Sequence, residues 1–560
     1  MLALTLIMAV GAFLRVIDVW RPIDGSVTMR STLWRETDVG SIAENFYRED
    51  NNILYPRTLW RENTPGYVES EFPLYPWLVA QTYRIFGYHE QLARLLSLLI
   101  SFLTLLVLTR LSFFLFKEPG ALVATAFFAV NPLLIYLSTA VQSDTLMFLF
   151  LSLALYYYFK SARKNPDSQN TREYFISISF LSLAILCKAT AAAYALFLAL
   201  DILRRHGLRK TLTDKATYLA MALLIIPNAA WVIHSHQFWQ DYRMSLGVTN
   251  EGHIIGTDIL FMRKYYQGFL SATTAFVTSY PGFITAIAGL WIVRKTSIAR
   301  PLYTFAISLG FFYFTTLYTT GASWAFYYHS LSVPFVGILF GALAQVAASK
   351  LGYFNRQRSL ALALGSSLCA GSAIGFALQL PTIYIIAAGL IAAGIAYTLT
   401  GLDDTMIGNR EKRYQHKTLF GQEIVMTLLA VTLVALGARS LRLTPQAHNF
   451  VAWKACADEF AAKIPEDARI ACWGSHSRSA LDRIVAYNVP WMFFWMYKQG
   501  FSVPEDFQSV ATIDSVAQLG AEYYVEFLPG AARTPGFHQA LRERYAMLDS
   551  CGVHVLYSLK

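Results

Sequence analysis

The feature that most limits what this chain can become is a recurrence of apolar runs of about 20 residues, the length a helix needs to cross a bilayer. Such runs lie near 2–20, 91–116, 120–138, 144–160, 217–234, 269–293, 301–320, 327–348, 359–378, 381–400 and 422–441. Over 560 residues, 55% are hydrophobic and only 15% charged, where soluble chains carry about a quarter. The pattern predicts a polytopic α-helical membrane protein. It excludes a disordered chain, a collagen-like chain, a coiled coil and a small disulfide scaffold. The first run has no basic stretch before it and no small-residue cleavage site after it, so it is expected to remain as an anchor.

Lys and Arg in short loops mark the cytoplasmic side. They cluster in Lys160/Arg163/Lys164/Arg172, Arg204/Arg205/Arg209/Lys210/Lys215, Arg294/Lys295/Arg300, Lys350/Arg356/Arg358 and Arg410/Lys412/Arg413/Lys417, while the connections near 138–143, 321–326 and 378–381 have none. This predicts a cytoplasmic N-terminus and places loop 21–90 and segment 442–560 outside. With Lys117, these inner loops hold 20 of the 46 basic residues, so the net charge of +10 reflects topology and not nucleic acid. Residues 174–203 have basic loops on both sides and are too short for two ordinary crossings. They are expected to form a hairpin of two short helices turning inside the membrane, with Lys188 near its apex, giving about 13 membrane segments.

Two domains are expected. Residues 1–441 form the membrane domain. Residues 442–560 alternate strand-like and helix-like runs (Arg469–Trp473, Trp491–Tyr497, Ile513–Leu519, Tyr523–Phe527, His538–Tyr545, Val553–Tyr557) and predict a small α/β domain outside the membrane. Cys187 and Cys369 fall in membrane segments. Cys456, Cys472 and Cys551 fall in the external domain, where an oxidising compartment allows at most one bridge.

Loop 21–90 holds ten acidic residues and seven arginines, and a structureless loop this long is uncommon unless functional. Trp34-Arg35-Glu36-Thr37-Asp38 precedes an amphipathic run, Ser41–Tyr47, so Asp38 is either the N-cap of a helix or a carboxylate held near the membrane surface as a proton acceptor. Glu71 is either a surface carboxylate or a binding group. Asp144 caps its span or lines a site. Lys188 is the strongest candidate on residue chemistry alone, because a cation at membrane depth is costly and marks function by default; the alternative is a lysine that snorkels to an interface. His234-x-His236 has no third ligand, so a metal is not expected there.

An ordered set of elements then becomes recognisable: Arg15, Asp38, Pro73-Leu74-Tyr75-Pro76-Trp77, Ala93-Arg94, Asn131-Pro132, Asp144 and Cys187-Lys188. Over roughly residues 10–330 this order resembles glycosyltransferase family 39 of the GT-C superfamily, which includes protein O-mannosyltransferases and the aminoarabinose transferases that modify lipid A. The resemblance implies a GT-C fold in a bacterial inner membrane. It implies an enzyme that moves a monosaccharide from a polyprenyl-phosphate carrier to an acceptor hydroxyl or phosphate outside, with inversion. The acceptor is a lipid, glycan or protein, and no cofactor or metal is expected.

By the same resemblance Asp38 is the general base, with Glu36 as a second acidic group, because the family's Asp-Glu pair is Asp38-Val39 here. The family often has a lysine ahead of its Pro-Leu element, and this chain has Glu71 instead, which suits sugar hydroxyls or a cationic acceptor. Asp144, and Tyr75 within the Pro-Leu element, are assigned to substrate binding. Lys188 is assigned the donor phosphate, and Arg94 and Arg15 are phosphate or carboxylate partners. Tyr327-Tyr328-His329, followed by Pro334, resembles the family's His and Tyr-Tyr neighbourhood in altered order, which assigns Tyr328 and His329 to substrate binding. A transporter or flippase, a GT-C oligosaccharide transferase or polymerase, and a non-catalytic assembly subunit are the rival readings. Single cysteines introduced within 40–70 and 450–550 are expected to react with a membrane-impermeant maleimide from outside intact cells, and labelling only after permeabilisation would reverse the topology.

Overall fold

Where no water is available, a chain must satisfy its own backbone, so the apolar runs fold as helices. In the computed structural model, residues 2–24, 30–164, 171–246, 261–316, 323–350, 412–441, 448–474, 488–532 and 534–560 are described. The runs expected at 359–378 and 381–400, with Cys369, lie outside these residues. The helices of the first half are α1 (Leu2–Val16), α2 (Arg30–Arg48), α3 (Leu74–Phe86), α4 (Gln91–Leu115), α5 (Glu118–Val130), α6 (Pro132–Thr139) and α7 (Ser143–Lys164). They are followed by α8 (Arg172–Cys187), α9 (Ala192–Thr213), α10 (Lys215–Tyr242), α11 (Arg263–Ala272), α12 (Tyr280–Ile292), α13 (Ala299–Thr316) and α14 (Val333–Lys350), and later by the helix Lys412–Leu441.

Helix α7 packs along α8, α14 along α5, and α4 against both α5 and α7. The α5–α14 crossing is close because glycines line it: a Cβ on Gly337 would come within 2.3 Å of the Phe128 ring. Helix α10 instead turns Leu219, Ile225, Ile226 and Ile233 outward, as a lipid-facing helix should.

Two expected crossings are bent. Among the described residues, four helices are long and apolar enough to cross a membrane, or six if each bent pair counts once. The run near 120–138 divides into α5 and α6 with a 48° bend. Pro132 cannot donate a backbone bond, and the Asn131 side chain accepts from the Leu133 and Leu134 amides at 3.1 and 3.4 Å. The run near 269–293 breaks by 91° at Ser279, which has a left-handed φ of 59° and is followed by Pro281. That run is therefore not one straight crossing.

The hairpin around Lys188 joins α8, 16 residues or about 24 Å of helix, to the first stretch of α9, which runs from Ala192 to His206 before Gly207 breaks it with a φ of 75°. The turn abuts the first loop, where the Phe72 amide donates to the Leu186 carbonyl at 2.9 Å. It thus sits at the loop-facing end of the bundle.

The last hundred residues form a five-stranded sheet of β1 (Ile470–Trp473), β2 (Gly500–Val503), β3 (Tyr523–Phe527), β4 (Ala546–Cys551) and β5 (His554–Ser558). The order is β2-β1-β3-β5-β4, parallel at β1–β2 and β1–β3 and antiparallel elsewhere. A Cys456–Cys551 disulfide ties helix His448–Lys463 to β4, while Cys472 is a buried free thiol. The strands at 500–503 and 546–551 had no separate sequence signal.

This unit grips the first loop. The Gly500 amide donates to Leu59 O at 3.1 Å, the Glu62 amide to Gly500 O at 2.9 Å, and Trp495 Nε1 to Ile23 O at 2.7 Å. The buried helix Pro490–Met496 lies on α2, so close that a Cβ on Gly40 would meet the Phe494 ring at 2.8 Å. Gly40→Val is expected to destabilise the protein by about 1–3 kcal/mol through overpacking. Thermal unfolding in detergent checks this, and an unchanged midpoint would show that the α2 contact is loose.

Candidate active site

Helix α2 has polar side chains on several faces and is buried on most of them, so each charge needs a partner. Residues three apart share a face, which puts Arg35 beside Asp38, while Glu36 points elsewhere.

Glu36 meets Arg94. The guanidinium reaches both carboxylate oxygens at 3.3 Å, and the Val141 amide donates to Oε1 at 3.0 Å. Arg94 also donates to the carbonyls of Arg21, Pro22 and Thr139. The pair is fully buried and pins α2 to α4 and to the loop before α7. Glu36 is thus engaged away from Asp38.

Asp38 lies inside α2, eight residues past the helix start, so it is not the N-cap considered from sequence. It is 1% exposed, and Trp60 Nε1 donates to its Oδ1 at 2.9 Å. Asn488, just ahead of helix Pro490–Met496, sits beside the same carboxyl, its buried amide without a well-formed hydrogen bond. Burial pushes the Asp38 carboxyl from its ordinary 3.8 up to about 7, with the Trp60 N–H and the Arg35 charge opposing.

The second part of the site forms where α8 stops. Lys188 is its C-cap in an extended conformation, and it is 2% exposed. Its Nζ lies 2.9 Å from Asp144 Oδ2 and 3.7 Å from Glu71 Oε1. Arg35 Nη2 holds the same Glu71 oxygen at 2.5 Å. The rings of Tyr327 and Tyr328 face the ammonium at 5.3 and 5.2 Å, a favourable arrangement for a desolvated cation. Asp144 sits in the first turn of α7, where the helix dipole favours a carboxylate. Its side chain pairs with Lys188 instead of capping the helix, and its Oδ1 is buried without a hydrogen bond. Burial pushes the Glu71 carboxyl up, but Arg35 and Lys188 outweigh it and hold it below the usual range. The result is an alternating chain, Arg35, Glu71, Lys188, Asp144, with formal charges that cancel.

Other candidates stand apart. Arg15 is buried and spends its donors on Ser101 Oγ and on the carbonyls of Gly11, Ala129 and Phe128, so it fastens α1 to α4 and α5, with no carboxylate partner among the described residues. The Tyr75 hydroxyl donates to Ala93 O at 3.1 Å and shares a 2.6 Å bond with Ser97 Oγ, joining α3 to α4. His329 turns away from Lys188 to Thr273 Oγ1 at 3.1 Å. His236 contacts Glu69 at 2.9 Å while His234 meets Leu54 O. Among the described residues no three metal-ligating side chains converge.

Sequence reasoning missed Arg35, Trp60 and Asn488 as site residues. Only Arg35 carried a usable signal, its position one turn before Asp38.

Residues 69–234 match the family model described as Dolichyl-phosphate-mannose-protein mannosyltransferase. That segment contains Glu71, Asp144 and Lys188 but not Asp38. In structure the chain is similar to ArnT from Cupriavidus metallidurans bound to undecaprenyl phosphate, with TM-score 0.60 and 16% identity, covering 100% of this chain and 97% of that one. It is also similar to the archaeal oligosaccharyltransferase AglB from Archaeoglobus fulgidus, solved with an inhibitory peptide and a dolichol-phosphate, with TM-score 0.51 and 13% identity over 97% and 72% of the two chains. No curated protein matches the chain by sequence. The chain shares its fold with both of these structures. Its likeness to glycosyltransferase family 39 is carried in sequence by residues 69–234.

The raised Asp38 pKa has a consequence for stability. Between about pH 4 and 7 the folded carboxyl keeps a proton that the unfolded chain releases, so this group makes stability fall as pH rises through that window. Asp38→Asn is therefore expected to be the more stable protein at pH 8, by at most about 4 kcal/mol, and to lose that advantage by pH 4. Unfolding midpoints measured across pH check this; a mutant equal to wild type at pH 8 would contradict the burial of a charge at position 38.

Proposed function

We propose that the protein transfers a monosaccharide from a polyprenyl-phosphate carrier to a hydroxyl or phosphate acceptor on the outer side of the cytoplasmic membrane, with inversion. The observation that carries this reading is the Lys188–Asp144 pair beside Glu71 at the loop-facing end of the bundle. Arg35 connects the pair to the helix that bears Asp38. The similar fold of ArnT bound to undecaprenyl phosphate supports a lipid-phosphate donor. The basic inner loops support an outward-facing site.

In this reading the acceptor O–H gives its proton to the Asp38 carboxylate as its oxygen forms the new bond to the anomeric carbon. The bond from that carbon to the phosphate oxygen breaks on the opposite face. Polyprenyl phosphate departs with the electron pair, and Lys188 stabilises the charge that develops on it. A carboxyl poised near 7 suits a base that must be free at physiological pH yet hold a proton once it receives one. Asp144 fixes the ammonium, and its free Oδ1 is available to a sugar hydroxyl. No step requires a metal.

The test is transfer by purified protein with a panel of polyprenyl-phosphate sugars. Asp38→Asn should lower turnover by about 10²–10⁴-fold, and Lys188→Ala should weaken donor use. Normal turnover by Asp38→Asn would remove the base assignment, and unchanged donor binding in Lys188→Ala would remove the phosphate role.

A further inference from the structure

The seat that the donor phosphate needs is already filled by a carboxylate of the chain itself. Glu71 Oε1 is the shared acceptor of two cations, Arg35 at 2.5 Å and Lys188 at 3.7 Å. Arg35, Glu71, Lys188 and Asp144 sum to zero charge, so an anion added beside them meets no net attraction and is repelled by two carboxylates. It gains only by taking the place of one of them between the cations. Asp144 is not the one to leave, because it sits in the first turn of α7 and is 1% exposed. Glu71 precedes α3 in non-helical loop, and its side chain is 15% exposed. Its neighbours are fastened by the Phe72 amide to Leu186 O and the Ser70 amide to Ser235 Oγ. The side chain can therefore swing without the backbone moving.

We infer that Glu71 is an internal anion that occupies the donor-phosphate seat, and that the phosphate displaces it to lie between Lys188 and Arg35. Arg35 is thus a second phosphate-binding residue, placed one turn from Asp38. The inference rests on the lipid-phosphate reading above and deepens it. The carboxylate keeps Arg35 and Lys188 paired until the donor arrives. Displaced, Glu71 is free to accept from a sugar hydroxyl.

The experiment measures binding of farnesyl phosphate to the full-length protein in detergent, with farnesol as the uncharged control. Glu71→Gln keeps the shape and removes the competing charge, so it should bind farnesyl phosphate about tenfold more tightly than wild type, and Arg35→Ala about tenfold less tightly. Glu71→Gln in the Arg35→Ala background should bind more tightly than Arg35→Ala alone, which keeps the question open to test if the single Glu71 variant is unstable. Equal or weaker binding by Glu71→Gln in both backgrounds would overturn the displacement, as would wild-type affinity in Arg35→Ala. If wild type fails to prefer farnesyl phosphate to farnesol, the lipid-phosphate reading itself falls. If it keeps that preference while Glu71→Gln does not tighten, only the inference made here fails.

Discussion

The structure depends on one buried ion pair. Lys188 ends α8 and Asp144 begins α7, 44 positions earlier, and their side chains meet at 2.9 Å with both nearly inaccessible to water. Neither charge could be accommodated alone. Breaking a buried pair by removing one partner leaves an uncompensated charge, at a cost of about 3–5 kcal/mol. The pair fixes the α8–α9 turn against the start of α7, and Glu71 and Arg35 extend it into the first loop. What the bundle stabilises at that point is also what a lipid phosphate would need to find.

A second constraint works from the other side. Helix α2 is not held by the membrane bundle alone. The C-terminal sheet contributes strand β2 against the first loop, and the helix Pro490–Met496 lies across Gly40. Asp38 is thereby shut between Trp60 and Asn488, far from each other in sequence. The C-terminal unit is in this sense a structural wall beside Asp38, which is 1% exposed. Such burial favours the neutral acid and so costs stability above neutral pH, a common bargain at functional positions.

What could be read from the residues alone follows the same physics. Lys188 stood out because a cation at membrane depth is costly, while Asp144, at the start of its span, was equally open to a helix-cap reading. The runs 120–138 and 269–293 both read as single crossings, although Pro132 and Pro281 lack the amide that a helix interior needs, and a left-handed serine at 279 looks like any other. Asp38 was open to an N-cap reading because α2 lacks a single apolar stripe: the C-terminal unit covers faces that would otherwise be wet, and the usual periodicity is lost. Arg35 was hidden among seven arginines of the same loop. Asn488 was hidden because its relation to Asp38 spans most of the chain. Arg15 and Tyr75 matched a family order yet serve as fasteners between helices, because a motif position says where a residue falls in sequence and not which way it turns.

The central claim, that a lipid phosphate is held at the Lys188 turn beside the helix bearing Asp38, is tested most directly by a structure of the protein with undecaprenyl phosphate bound. The account predicts phosphate density within hydrogen-bonding distance of Lys188 Nζ and the Arg35 guanidinium, with the Glu71 carboxylate rotated out of the position it now shares with both. Phosphate density elsewhere in the bundle, with the Arg35–Glu71–Lys188–Asp144 chain intact, would contradict it.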